Sequence, residues 1–335
     1  MSKFRMKQCA VMLLTGIMTL GLFYGCGSKK SSGSGASQAV SGVKLLYIGT
    51  DKEDAYRKLL VDSVVAAAKD AGCDLTEAEC GNNVEEQVKA AASAKKDGYQ
   101  AIICRLADGD TAPQIELAAA GLPIIYVNNE PVSRALSKNK YVYVASDESQ
   151  AGSYQAEYVA KKLNKKELNI VILEGEKGHS GAIQRTKYVK NYLKDKGIKF
   201  NVVFMDYANW SDTEAEAAMK QFFKTKQSFD AVFCNNDTMA LGAVKAMKEA
   251  GFDPAEIPVL GVDATKDGCQ SIKDGDMQFT VYQNADGQGK KAVEIASLLG
   301  SGKKVDSVKG VTADGKDAWV PFEPVDASNV SDYMK

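Results

Sequence analysis

Hydrogen-bonding side chains follow several apolar segments that have the length of buried β-strands. They are Asn128 after the segment ending at Val127, His179 and Arg185 after Leu173, Asn236 after Cys234, Asp263 after Val262, and Gln283 after Tyr282. Two aromatic residues, Tyr56 and Trp210, follow other segments of this kind. Carboxylates accept hydrogen bonds, Arg donates them and amides do both, as hydroxyl groups require. Because flat rings also suit the apolar C–H faces of a pyranose, the set predicts a sugar site.

Each of these residues also has an ordinary structural interpretation. Asn and Asp after strands are common turn and N-cap residues. Asp237, which precedes Thr238, Met239 and Ala240, is typical of a helix start. Trp210 could belong to the core, and His179 to an exposed loop. The joint placement of the residues after strands, rather than any one of them, favours a binding site.

The elements that must position these residues alternate along the chain. Short apolar segments such as 101–104 and 231–234 are separated by longer amphipathic segments such as 54–71 and 238–250. This alternation predicts parallel sheets with helices on both faces. The pattern restarts near Asn169, which indicates a second, similar lobe. We therefore expect an α/β fold of two doubly wound parallel-sheet lobes, with the ligand beyond the carboxyl ends of the strands.

The N-terminus predicts export. Basic residues between Lys3 and Lys7 precede an uncharged apolar run from Cys9 to Phe23, which is too short to span a bilayer. Gly25-Cys26 resembles a lipobox, so residues 1–25 are predicted as a signal peptide and Cys26 as the lipidation site. An ordinary cleaved signal is the alternative. Residues 26–42, rich in Gly and Ser, are predicted as a flexible tether to the cell membrane, outside the cytoplasm.

Composition excludes some classes of partner. The chain has 335 residues, with 42 Lys and Arg against 43 Asp and Glu, which leaves a net charge of −1. A nucleic-acid surface would need a basic excess, so no nucleic acid is expected as a partner. Seven Cys without a CxxC pair, together with a single His, argue against a disulfide framework and a zinc site. No cofactor is expected.

Four motifs resemble those of the periplasmic sugar-binding proteins of ABC transporters, particularly the galactose/glucose-binding type. The motifs are Leu173-Glu174-Gly175-Glu176-Lys177-Gly178-His179 with Arg185, Cys234-Asn235-Asn236-Asp237-Thr238-Met239-Ala240-Leu241, Val259-Leu260-Gly261-Val262-Asp263-Ala264, and Asn128-Asn129-Glu130-Pro131. The resemblance runs from about Val43 to Val325. It implies a type I periplasmic binding protein with an N-terminal lobe of residues 43–146 plus 284–317. The C-terminal lobe would then hold residues 147–283 plus 318–335.

The resemblance also assigns roles to individual residues. It implies sugar contacts from the N-terminal lobe by Asp54, Tyr56 and Asn128. From the second lobe it implies hydrogen bonds by His179, Arg185, Asn236 and Asp263, and stacking by Trp210. Gln283 stands where the galactose/glucose type has Asn and the ribose type has Gln. It further implies an ABC permease as partner, a monomer, and closure about three crossing strands near residues 146, 284 and 318.

Two departures from the galactose/glucose pattern concern the ligand and a metal. Gly181 stands where that type has an Asp, so one hydroxyl acceptor is missing and the preferred sugar is open. Residues 161–169 occupy the place of the family's calcium loop but carry no spaced carboxylates. Calcium requires several oxygen ligands, so no metal is expected there.

Three alternatives remain to be weighed. A glycosidase would need facing carboxylates, and Asp54 and Asp263 could be imagined as such a pair, but the resemblance gives them binding roles. A LacI-type repressor would need an N-terminal helix-turn-helix where this chain has a signal and a tether. We therefore expect a binding protein and no enzyme. Signalling to a chemoreceptor or sensor kinase, or binding of ribose, xylose or inositol instead, stays open.

Overall fold

The computed structural model describes residues 38–334 of the chain. The predicted signal peptide (1–25), the lipidation site Cys26 and most of the tether therefore lie outside the described residues. Within residues 38–334 no helix is long and apolar enough to cross a membrane. The description below concerns this part of the chain.

The N-terminal lobe is a six-stranded sheet covered by helices on both faces. Its strands are β1 (Lys44–Gly49), β2 (Asp74–Glu79), β3 (Ala101–Cys104), β4 (Ile124–Val127), β5 (Tyr141–Ala145) and β11 (Asp317–Trp319). Its helices are α1 (Ala55–Asp70), α2 (Val84–Ala94), α3 (Ala112–Ala118) and α9 (Ala285–Gly300). Strands β3 and β4 are buried at every position, as expected of central parallel strands whose sequences are continuously apolar.

The C-terminal lobe repeats this architecture. Its strands are β6 (Glu167–Glu174), β7 (Lys199–Tyr207), β8 (Ala231–Cys234), β9 (Val259–Leu260), β10 (Phe279–Gln283) and β12 (Phe322–Asp326). Its helices are α4 (Glu148–Leu163), α5 (Ser180–Asp195), α6 (Asp212–Lys224), α7 (Asp237–Glu249) and α8 (Lys266–Lys273). Three short 3-10 helices complete the two lobes: Gly109–Thr111, Ser133–Ala135 and Val330–Asp332.

The two sheets share one topology, which confirms the predicted fold class. Their orders are β11-β5-β4-β3-β1-β2 and β12-β10-β9-β8-β6-β7. Every pairing is parallel except that of β10 with β12, which is antiparallel. Because β1 and β6 lie inside their sheets, the strand order reverses beside each of them. The crevice at such a reversal is where doubly wound sheets bind ligands.

The chain crosses between the lobes three times. The crossings follow β5, β10 and β11. The first follows Ala145 and the second follows Gln283. Ala318 and Trp319 pair with β5 in the N-terminal sheet, so the third crossing is at 320–321, whereas the predicted boundary lies after 317. The predicted lobe boundaries at 146 and 284 stay predictions. A strand of three residues leaves too little periodicity to locate its end from sequence.

The last residues of the predicted tether are bound to the N-terminal lobe. The Gln38 amide donates to Glu294 of α9 at 2.9 Å, and the Val40 amide donates to Ser297 Oγ at 3.0 Å. The Val40 side chain packs against the core of the lobe. Residues 38 and 40 are thus held on the N-terminal lobe, because side chains of α9 satisfy their backbone donors.

Candidate functional site

A small cavity lies between the lobes, at the carboxyl ends of both sheets. The empty space between its lining atoms is about 290 Å³. All nine predicted ligand residues line it, together with two that sequence reasoning missed: Asp54, Tyr56, Asn128, His179, Arg185, Trp210, Asn236, Asp263 and Gln283, and in addition Arg57 and Arg105. The structure brings the predicted set together, whereas binding by these residues stays a prediction.

Three of the nine residues also cap helices. Helix capping and a place in the cavity lining are therefore compatible at these positions. Asp54 Oδ1 accepts from the Arg57 amide at the start of α1, and Asn236 Oδ1 accepts from the Met239 amide at the start of α7. His179 Nδ1 accepts from the Gly181 amide at the start of α5. Each cap occupies one atom of the side chain; at Asp54 and Asn236 the second atom joins the two lobes, with Asn236 Nδ2 donating to Asp54 Oδ2. The N-termini of three helices therefore meet at this cavity, where their partial positive charge favours electron-rich ligand atoms.

Three other site residues have left-handed backbone conformations. The φ angles are 63° at Asn128, 66° at Trp210 and 117° at Asp263. Such conformations cost about 1–3 kcal/mol each for residues other than Gly, and they persist only where the surroundings hold them. At Asn128 the backbone carbonyl accepts a hydrogen bond from Tyr143 Oη at 2.8 Å. Three of the nine non-Gly residues with positive φ in residues 38–334 thus line the cavity.

Arg185 is the centre of a buried network in the C-terminal lobe. Its guanidinium donates to both Glu148 oxygens, at 2.6 and 3.0 Å, and to Gln283 Oε1 at 3.0 Å. Burial is the largest single influence and opposes its charge, but the nearby acidic groups, chiefly Glu148 and Asp263, together outweigh burial and raise the pKa of Arg185. Asp263 lies 3.9 Å from Arg185. Because Glu148 is the true partner of Arg185, burial dominates at Asp263 and raises the pKa of its carboxyl well above the usual value.

Arg105 holds the corresponding position in the N-terminal lobe. It follows β3 directly, and its side chain is buried, with 2% exposed. Its Nε donates to Asn128 Oδ1 at 2.9 Å and its Nη1 to Thr50 Oγ1 at 2.7 Å. Burial, together with the nearby Arg57, lowers the pKa of Arg105 to about 10, so the group stays charged at neutral pH. The sequence could have indicated Arg105 as a site residue, because it stands directly after a strand, as several of the predicted ligand residues do.

His179 contributes a fixed donor to the cavity. Since its Nδ1 accepts from a backbone amide, the neutral ring carries its proton on Nε2. Burial, and then Arg105, Arg57 and Arg185, lower the pKa of His179 well below its usual value. The imidazole stands edge-on to Trp210, with ring centroids 5.0 Å apart. Neutral His179 is thus an N–H donor beside the indole ring.

Three buried polar atoms of the cavity lining have no hydrogen-bond partner among the described residues. They are Tyr56 Oη, Trp210 Nε1 and Gln283 Nε2. A buried polar group without a partner costs about 1–3 kcal/mol. Two of the three atoms are obligatory donors, so the group that satisfies them must supply acceptors. The tyrosine hydroxyl can accept or donate.

The lobes contact each other around the cavity. Arg57 Nη2 of α1 donates to Glu176 Oε1 of the C-terminal lobe at 2.5 Å. Asn236 Nδ2 donates to Asp54 Oδ2 at 3.2 Å. The Glu130 amide of the N-terminal lobe donates to Ser180 Oγ at 2.9 Å. These contacts join opposite walls of the cleft, so the structure represents the lobes closed on each other.

The geometry agrees with comparisons to known proteins. A family model described as a periplasmic binding protein domain matches residues 45–304. The chain belongs to the periplasmic binding protein family. A protein of Rhizobium meliloti to which rhizopine binding has been ascribed is 33% identical over 84% of this chain and 89% of its own length. The D-galactose/methyl-galactoside binding periplasmic protein of Haemophilus influenzae is 32% identical over 71% of this chain and 75% of its own length.

A solved structure extends the similarity. An ABC transporter solute binding protein of Bacillus halodurans with bound myo-inositol superposes with a TM-score of 0.77 at 28% identity, covering 90% of this chain and 99% of that one. The family predicted from the sequence motifs is therefore confirmed. Membership of this periplasmic binding protein family places the chain outside the cytoplasm. The similar proteins named above are solute-binding proteins rather than enzymes.

Metal binding has no visible support in residues 38–334. No group of three or more His, Cys, Asp or Glu side chains there could hold a metal ion. The expected absence of calcium near residues 161–169 stays a prediction.

Proposed function

We propose that this periplasmic binding protein is a lipoprotein, anchored through Cys26, that captures a galactose- or glucose-like monosaccharide as a monomer. The bound sugar is handed unchanged to an ABC permease. The broader function, a sugar-binding protein of the ABC-transporter type, is confirmed by the family and by relatives that bind galactoside and, in a solved structure, myo-inositol. The choice of sugar, the anchor and the monomeric state belong to the proposal.

One observation carries the choice of a polyhydroxylated ligand. The residues that line the cavity include Tyr56, Trp210 and Gln283, each with a buried polar atom that has no partner in residues 38–334, and Asp263 with its carboxyl group. Sugar hydroxyls can accept from indole and amide N–H groups and donate to a carboxyl oxygen. A pyranose ring also has C–H faces that suit Tyr56 and Trp210. A monosaccharide therefore supplies the kinds of partner that these groups require.

The mechanism follows from the ligand residues being divided between the lobes. Asp54, Tyr56 and Asn128 come from the N-terminal lobe, and the rest come from the C-terminal lobe. Only the closed arrangement makes all contacts, so the ligand stabilises closure about the three crossings. The permease then distinguishes the closed, loaded protein from the open one.

The test is a binding screen of the full chain in detergent. D-glucose, D-galactose, D-ribose, D-xylose, L-arabinose and myo-inositol are compared by thermal shift and calorimetry. At 100 times its Kd, a ligand should stabilise the fold by about 2.7 kcal/mol, which raises the melting temperature measurably. The sugar should be recovered unchanged, and the radius of gyration should fall on saturation. Absence of binding to every member of the panel refutes the proposal.

A further inference from the structure

The N-terminal wall of the cavity contains one guanidinium without a carboxylate partner. Arg57 is paired with Asp51 and Glu176, and Arg185 is paired with Glu148. Arg105 instead has two neutral partners, Asn128 and Thr50. Its remaining nitrogen, Nη2, makes no hydrogen bond to any residue in 38–334. Buried charged groups are normally fully hydrogen-bonded, so a free edge on a residue that lines a ligand cavity requires an explanation.

The neighbouring amide points to the same conclusion. Because Asn128 Oδ1 accepts from Arg105 Nε, the other end of this amide, Nδ2, is its donor end, and Nδ2 has no partner within the described part of the chain. Asn128 is held by its left-handed backbone and by Tyr143. The wall thus presents two adjacent donor groups, and both are fixed by contacts within the lobe. Such fixed donors suit two neighbouring acceptor oxygens of one ligand.

We propose that Arg105 is a ligand-contacting, specificity-determining residue, which donates from Nη2 to a hydroxyl oxygen of a polyhydroxylated ring while Asn128 donates to the adjacent oxygen. This role rests on the proposed function. It is distinct from the residues implied by the family resemblance, which did not include Arg105. It also implies that the ligand presents two oxygens on adjacent carbon atoms to the N-terminal lobe.

The charges around the cavity leave Arg105 without a carboxylate partner. Three guanidinium groups line the cavity, those of Arg57, Arg105 and Arg185, against two carboxyl groups, those of Asp54 and Asp263. Arg57 is paired with Asp51 and Glu176, and Arg185 with Glu148. Arg105 is therefore the lining guanidinium that keeps a donor for the ligand, and its charge strengthens a hydrogen bond to a hydroxyl oxygen.

The experiment compares Arg105→Met with the wild type, using the full chain in detergent. Calorimetry measures D-galactose, D-ribose and myo-inositol, and then each monodeoxy analogue of the tightest binder. A hydrogen bond from a charged donor corresponds to roughly 10- to 150-fold in Kd. We expect Arg105→Met to raise the Kd for the parent ligand by this factor. One deoxy analogue should bind the wild type as weakly as the parent ligand binds Arg105→Met. This analogue should bind the variant no more weakly than it binds the wild type.

The outcomes separate this inference from the proposed function. Wild-type affinity in Arg105→Met, or an equal loss for the parent and all its analogues, would overturn the contact while leaving sugar binding intact. Failure of the wild type to bind any member of the six-ligand panel described above overturns the proposed function and the role of Arg105 with it. Arg134→Met, at an exposed arginine of the same lobe, is the matched control and should bind as the wild type does. If Arg105→Met does not fold, Arg105→Lys keeps the charge but lacks the planar fork, and the same analogue comparison applies.

Discussion

Arg57 and Glu176 form an ion pair across the cleft. Removing the charge of Glu176, which does not line the cavity, should weaken ligand binding. Glu176 follows β6 in the C-terminal lobe and accepts from Arg57 at 2.5 Å and from Asn82 at 3.2 Å. Arg57 is also held by Asp51 at 2.9 and 3.1 Å within its own lobe, so its guanidinium is already oriented. Glu176→Gln keeps an acceptor of the same shape and removes only the charge. The closed form therefore loses electrostatic attraction rather than packing.

The size of the effect follows from the geometry. A hydrogen bond to a charged group contributes about 1.5–3 kcal/mol, against about 1 kcal/mol for a neutral one, so the loss is about 0.5–2 kcal/mol. The Glu176 side chain is 24% exposed and that of Arg57 is 7% exposed, which places the expected loss in the lower half of that range. If the ligand-free protein is mainly open, the apparent Kd rises by the same free energy, roughly three- to sixfold.

Calorimetry and stopped-flow dissociation at several salt concentrations measure this change. We expect Glu176→Gln to raise Kd mainly through faster dissociation, because the pair forms only after closure. The ligand affinity of the wild type should also fall as the salt concentration rises from about 0.05 to 0.5 M, and the affinity of the variant should fall less. Asp62→Asn is the matched control. It breaks an exposed ion pair with Lys58 that lies within α1 and does not cross the cleft. Unchanged affinity in Glu176→Gln, or an equal salt dependence in both proteins, would show that this pair does not hold the lobes together.

Three further predictions concern the cavity itself. Asp263→Asn should weaken sugar binding about tenfold or more in calorimetry, because it replaces one acceptor oxygen by an amide N–H group and leaves a sugar hydroxyl without its partner; wild-type affinity would exclude Asp263 from the site. His179 is the single histidine of the chain, and its pKa is lowered by burial, so the unfolded state binds more protons below about pH 6.5 and the free energy of unfolding should fall as pH falls through that value. In NMR spectra of untagged, ligand-bound protein its imidazole should not titrate near pH 6.5; His179→Gln should lose this part of the acid destabilisation. Gly175→Ala places a Cβ 2.1 Å from the Trp210 ring, so overpacking of about 1–3 kcal/mol should displace the indole and lower affinity roughly 5- to 150-fold, and ligand-induced tryptophan fluorescence changes equal to the wild type would contradict this.

The sequence was sufficient to predict most of the residues that line the cavity because strand ends are visible in it; their role in binding stays a prediction. Asn128, Asp263 and Gln283 stand at or directly after apolar strands, and parallel strands bring their carboxyl ends to one edge of the sheet. Arg105 stands in an equivalent place but was missed, since a long charged side chain is expected to reach solvent. Only the packing of β1 beside β3 shows that Thr50 and Asn128 hold it inside the cavity.

The parts of the fold that escaped prediction are short or depend on remote partners. Strands β11 and β12 have three and five residues and pair with β5 and β10, far away in sequence. Local pattern carries no information on such pairings. The contacts across the cleft, such as Glu176 with Arg57, likewise join residues that are 119 positions apart. They exist only because the two lobes face each other, and no single-segment pattern encodes that arrangement.

The double role of the capping residues decides which substitutions can prove the site. Asp54, His179 and Asn236 each stabilise a helix N-terminus, where loss of the cap costs about 0.5–2 kcal/mol of stability. A lower affinity after Asp54→Ala would therefore combine a frayed helix with a lost contact. Asp263 caps no helix, and its carboxylate makes no hydrogen bond to residues in 38–334. Its replacement by Asn, which tolerates positive φ, keeps every helix cap and removes only the ligand contact and the 3.9 Å approach to Arg185, whose Glu148 partner remains. An affinity change there bears more directly on the hydroxyls of the bound ring than one at a capping residue.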